Sequence, residues 1–187
     1  MRHNKLKIVL VAMALCMLTV MTQGSLAYYS ATESAINVIT SGDISAKIIE
    51  KMGNGDFPRD GVYVMPGSVI SKKVSVVNTG AHPFWLRVKL TNAIDDTSLS
   101  PDVMELDLNL NDWIAGEDGY YYYKNIVQPG AETEKLFTQV KIAGNVDNSY
   151  LNKKLELTVS AFAVQSEFNG SSPLDAEGWP AEGGGSV

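Results

Sequence analysis

Three observations predict an all-β fold, an antiparallel sandwich of two sheets. Apolar and polar residues alternate at period two in five separate segments, the signature of strands with one buried face. Turn-forming groups stand between them: Asn54-Gly55, Met65-Pro66-Gly67, Asn78-Thr79-Gly80, Gln128-Pro129-Gly130 and Gly144-Asn145. No long amphipathic helix interrupts the series, and strands 10–20 residues apart suit a sandwich.

The amino end has its own logic. Arg2, Lys5 and Lys7 precede an apolar run over residues 8–21, followed by Thr22-Gln23-Gly24 and the small-residue step Ser25-Leu26-Ala27. Basic, apolar and small-residue regions in that order predict a secretory signal over residues 1–27, cut between Ala27 and Tyr28. The run falls short of the roughly 20 apolar residues that span a bilayer. Cys16 follows Leu15 in mid-run, away from the cut, which argues against a lipid anchor. Residues 28–40 alternate poorly, but Ala31, Ala35, Ile36, Val38 and Ile39 are small or β-branched and suit an extended segment.

The strands follow in order. Ile70, Val74 and Val76 oppose Lys73 and Ser75, and Leu86, Val88 and Leu90 oppose Trp85, Arg87 and Lys89. Met104, Leu106, Leu108 and Leu110 alternate most cleanly, against Glu105, Asp107, Asn109 and Asn111. Leu136, Thr138, Val140 and Ile142 oppose Phe137, Gln139 and Lys141, and Leu155, Leu157, Val159, Ala161 and Ala163 share the last inner face. A short helix is expected after Thr91 or around Ser98-Leu99-Ser100-Pro101-Asp102. Pro66-Gly67 and Pro129-Gly130 each precede a strand and predict two like corners, since proline presets φ and glycine accepts a positive φ. The domain is expected over residues 28–168. Residues 169–187 are acidic and glycine-rich, with only Leu174 and Trp179 as anchors, and predict a flexible tail.

Composition narrows the function. The signal holds three of the fifteen basic residues and none of the acidic ones, leaving twelve against twenty-one, a net charge of −9. That balance disfavours nucleic acid and unaided binding to an anionic membrane. Without Cys16 the chain has no cysteine, so packing alone must hold it together. That pattern leans towards a Gram-positive exported protein.

Catalytic chemistry finds few donors. His82 is the one histidine after the signal, in a turn between Ala81 and Pro83, with no metal-ligating partner at zincin spacing and no serine elbow. The pairs Asp95-Asp96, Glu105/Asp107 and Glu117-Asp118 fit exposed faces and loop tips better than a glycosidase site. Asp95, Asp96, Asp102, Asp107, Asp112, Glu117 and Asp118 leave a calcium site open, without EF-hand spacing. Trp113 and the run Tyr120, Tyr121, Tyr122, Tyr123 admit two readings. One is a stacking surface for glycans; the other is a strand with two tyrosines turned into the core and two covering the outside.

Several segments together resemble the TasA/camelysin group of exported bacterial proteins. They are the junction Gly24-Ser25-Leu26-Ala27-Tyr28-Tyr29-Ser30-Ala31-Thr32-Glu33, the stretch Ser41-Gly42-Asp43-Ile44-Ser45-Ala46, and Met65-Pro66-Gly67 with Lys72 to Val77 and Asn78-Thr79-Gly80. The closing half adds Tyr121-Tyr122-Tyr123-Lys124, Gln128-Pro129-Gly130, Leu136-Phe137, Tyr150 and Leu155 to Gln165. The resemblance implies a jelly-roll-like sandwich, processing by a SipW-type signal peptidase, and a secreted role in biofilm matrix or surface fibres. It also implies self-association or pairing with a homologous matrix subunit, in which the freed segment with Tyr28, Tyr29, Ala35, Ile36, Val38 and Ile39 completes a neighbour's sheet. The alternatives are a monomeric surface glycan-binding module using Trp113 and Tyr120 to Tyr123, and the surface metallopeptidase activity attached to camelysin, for which no ligand set is present.

Overall fold

A computed structural model of the chain describes residues 27–29, 44–150 and 152–181. The strands are β1 (Ala27–Tyr29), β2 (Ala46–Met52), β3 (Gly55–Asp56), β4 (Val62–Val64), β5 (Val69–Asn78), β6 (Phe84–Ile94), β7 (Met104–Leu106), β8 (Trp113–Ala115), β9 (Tyr120–Tyr123), β10 (Phe137–Ile142) and β11 (Lys154–Gln165). They form two sheets, in the orders β4-β1-β11-β6-β9-β8 and β3-β2-β5-β10-β7. The all-β two-sheet sandwich is therefore observed. Every pair is antiparallel except β1 with β11, which run parallel.

Alternation builds the core. Leu86 and Val88 of β6, with Leu155, Leu157, Val159, Ala161 and Ala163 of β11, meet Val74 and Val76 of β5 and Val140 and Ile142 of β10 in one buried cluster. The β6–β11 ladder is the longest, from Leu155 opposite Ile94 to Gln165 opposite Phe84. The two Pro-Gly corners are built alike. Gly67 and Gly130 have φ of 78° and 76°. Ser68 N–H bonds Met65 O and Ala131 N–H bonds Gln128 O, each at 2.9 Å, which is the type II pattern.

Three expectations meet a different local structure. The alternation over residues 104–111 yields only the three-residue β7; Leu108 is half-buried and Leu110 exposed. At the start of β10, Phe137 and the preceding Leu136 are both fully buried while Thr138 is only half-buried, because the register with β5 shifts between Phe137 and Gln139 and the facing pattern changes phase there. No α-helix occurs among the described residues. Residues 91–94 extend β6, residues 98–102 form turns, and a single 3-10 turn lies at Asn148–Tyr150.

Candidate functional site

Two regions carry the residues singled out above. The first is an inserted strand. Residues 27–29 lie between β4 and β11, with Ala27, Tyr28 and Tyr29 opposite Val64, Tyr63 and Val62 on one side. On the other side Tyr28 and Tyr29 stand opposite Lys154 and Leu155. Both residues of the expected cleavage junction thus belong to β1. Ala35, Ile36, Val38 and Ile39 lie outside the described residues, as do residues 1–26.

On the other sheet, β2 and β5 bring Glu50 and Lys72 together. The Lys72 ammonium, fully buried, sits 2.7 Å from Glu50 Oε2 and 4.2 Å from the centroid of the Phe57 ring. There a carboxylate and an aromatic face stand in for the water that burial takes from the ammonium. Period-two alternation puts Lys72 on the inner face with Val74 and Val76. A lysine on an otherwise apolar inner face was the legible signal for this pair.

The second region is the outer face of the six-stranded sheet. The tyrosine run splits by strand parity: Tyr121 and Tyr123 turn to the main core with Trp113, while Tyr120 and Tyr122 turn outwards. Trp113 and Tyr123 rings stand 5.0 Å apart, and the indole Nε1 donates to Glu134 O at 3.2 Å. Outside, Tyr120 and Tyr122 join Phe162 of β11 beneath Trp179. Four of the five aromatic residues considered for glycan stacking are buried and only Tyr121 is half-buried, so none presents an open ring face. That removes the geometric basis of the glycan reading.

The cover is the carboxyl-terminal stretch. Residues 169–181, anticipated as a flexible tail, lie against this face through Ala176 and Trp179, whereas Leu174 is exposed. Residues 182–187 lie outside the described residues. Trp179 meets Tyr122 edge-on at 5.7 Å. The Arg87 guanidinium is wedged among rings, 3.9 Å from Tyr120, 4.8 Å from Trp179 and 5.6 Å from Phe162. Its polar contacts are Tyr122 Oη and Pro180 O, both at 3.4 Å, and Asp118 Oδ2 at 3.7 Å, and its Nε has no partner.

Partial burial raises the Asp118 carboxyl. The hydrogen bonds from Tyr122 Oη and Tyr120 N–H, with the nearby Arg87 charge, more than offset it, so the group ends below the ordinary carboxylate range. The Tyr122 phenol is pushed up by burial and then by the Asp118 carboxylate it donates to. Arg87 was missed as a site residue. Its signal was the outward pair Phe162 and Val164: apolar residues on both faces of β11 mean both faces are covered.

The acidic residues disperse rather than converge. Asp95 accepts from Lys154 N–H, Asp96 pairs with Lys153 at 2.6 Å, Asp112 accepts from Asn109, and Asp107 accepts from Thr138 and Gln139. Among the described residues no three of His, Cys, Asp and Glu are grouped to hold a metal ion. His82 is exposed in its turn, where its carbonyl accepts from Asn78. No described helix is long and apolar enough to cross a membrane.

Fold and site together define a two-layer β-sandwich with a short amino-terminal strand inserted into one sheet and a carboxyl-terminal segment strapped over the same sheet's outer face. Comparisons with protein-family models, with curated proteins and with solved structures give no significant match.

Proposed function

We propose that this chain is an exported structural protein of a bacterial surface or extracellular matrix, of the TasA/camelysin kind, that assembles by lending its amino-terminal segment to a neighbouring copy. The observation that carries the reading is the place of β1. A strand of three residues joins β4 to β11, and among the described pairings β4 has no other neighbour. So few residues make few ladder hydrogen bonds, and an extended segment from a second copy satisfies the same two edges. The contact is heterologous, so it propagates as a filament instead of closing.

In this reading a SipW-type peptidase cuts between Ala27 and Tyr28, and the released segment with Tyr28, Tyr29, Ala35, Ile36, Val38 and Ile39 docks on a neighbour. The protein is non-catalytic, binds no nucleic acid and keeps no stable membrane insertion after processing. The test compares chains beginning at Tyr28 and at Ser41 by negative-stain microscopy and light scattering. Fibres from the longer chain alone support strand donation. Equal assembly by both, or by neither at high concentration, rules it out.

A further inference from the structure

The segment after β11 forms a small lobe closed on itself. Asn169 Oδ1 accepts from Glu177 N–H at 2.9 Å, and Asn169 Nδ2 donates to Glu177 O at 3.0 Å. Ser171 and Ser172 hydroxyls both reach Asp175 Oδ2, at 3.2 and 2.8 Å. These bonds start and end within the lobe. The contacts that seat it run to the sheet's outer face: Trp85 Nε1 to Asn169 O at 2.8 Å, Ala176 against Trp85 and Val164, and Trp179 over Tyr122 and Arg87.

Residues 165–168, starting at the last residue of β11, join lobe to sheet, and Phe168 is the strained one. Phe168 holds φ at 57°, a left-handed conformation that costs a residue with a Cβ and suits glycine. Its ring is wholly exposed. Three bonds tie the hinge: Asn169 N–H to Ser166 O, Asn169 Nδ2 to Gln165 O, and Ser166 N–H to Pro83 O at the end of the sheet. Opening the hinge relieves Phe168, breaks those three bonds and leaves the lobe intact. Four extended residues reach about 13 Å, enough for a copy abutting this end of the sheet.

We infer that this outer face is a receptor for the carboxyl-terminal lobe of a second copy, and that two chains pair by reciprocal exchange of residues 169–181 about the hinge at residues 165–168. The partner is identified by fit. An identical lobe brings the same Trp179, Ala176 and Asn169 carbonyl to the same seat, and strained hinges favour such exchange. The hinge, lobe and seat all lie within residues 85–181, so the exchange does not depend on how the amino terminus is cut or docked.

The test exploits the absence of cysteine after Cys16. In the chain from Tyr28, Val164→Cys with Ala176→Cys places two thiols in one buried cluster. After oxidation over a range of concentrations, exchange gives a covalent dimer on a non-reducing gel, growing with concentration. Oxidation to monomer alone, or no covalent product at all, overturns the proposal. A second measurement needs no disulfide. Phe168→Gly removes the strain and the exposed ring, so sedimentation shows the dimer fraction falling about ten-fold while the monomer keeps the fluorescence of its half-buried Trp179. A chain monomeric at every concentration, or a dimer indifferent to Phe168→Gly, also overturns it. Repeating both with the chain from Ser41 separates this contact from strand donation, because lobe exchange survives that truncation.

Discussion

Asn78 shows how much one buried side chain can organise. It ends β5 fully buried, donating from Nδ2 to His82 O at 2.8 Å and to Val127 O at 2.9 Å, while Oδ1 accepts from Gly80 N–H at 2.9 Å. Its own N–H bonds Ala131 O, and its carbonyl accepts from Gly130. The side chain therefore fastens the 79–83 turn and the second Pro-Gly corner to the end of one strand. Only an amide offers two donors and an acceptor in that space. Asn78→Ala takes a partner from His82 O and from Gly80 N–H and leaves Val127 O with only its bond from Phe84 N–H, and the expected loss is about 1–3 kcal/mol, read from urea unfolding at pH 7. A loss below about 0.5 kcal/mol would mean water replaces the amide at little cost. The Asn-Thr-Gly motif was visible in the sequence as a turn, but its burial was not, since the corner that covers it, with Val127 O and Ala131 O, lies about fifty residues further along the chain.

At the scale of elements, legibility followed the regularity of the ladder. β6 and β11 alternate without a break against a covered core, and their inner faces are the ones the pattern predicts. The pattern over residues 104–111 is as regular, yet the chain leaves the sheet after Leu106 because Asp107 has another task. The shifted β5–β10 register frees the N–H groups of Thr138 and Gln139, and Asp107 Oδ1 accepts both, at 2.8 and 2.7 Å. Alternation cannot reveal a carboxylate recruited by a distant irregularity, so Leu110 was placed inside and is exposed. The same bonds make a pH prediction. Partial burial raises the Asp107 carboxyl, but the Thr138 hydroxyl and the two N–H groups outweigh it, leaving the folded pKa below the ordinary 3.8. The unfolded chain then binds more protons in this window, so the contribution of Asp107 is complete above pH ~4 and fades as pH falls through its folded value. Asp107→Asn should flatten the acid limb of stability against pH and leave the region above pH 5 nearly flat. An acid limb unchanged by the substitution would assign acid sensitivity to other carboxylates.

Across the whole molecule, protection should follow depth in the layers. β11 sits between β1 and β6, its inner face lies in the core, and its outer face is under the lobe. β4 lies at the sheet edge and reaches the rest of that sheet only through β1. The parallel pairing of β1 with β11 could not be anticipated from alternation, because it joins residues 126 positions apart with no local signal (Tyr28 opposite Lys154). It predicts a graded response to losing the amino terminus. In the chain from Ser41, hydrogen exchange at Val62, Tyr63 and Val64 should accelerate, while β6 and the inner half of β11 keep nearly their full protection through their eleven-pair ladder. A free peptide of residues 28–40 should restore protection at β4 and at Lys154 and Leu155, and nowhere else. Uniform acceleration would mean that β1 supports the whole sandwich, and no segment so deeply needed could be lent to a neighbour. Unchanged exchange at β4 would mean that β1 contributes no ladder there. A local, peptide-reversible change is the one pattern that leaves the fold standing while its amino-terminal strand is exchanged.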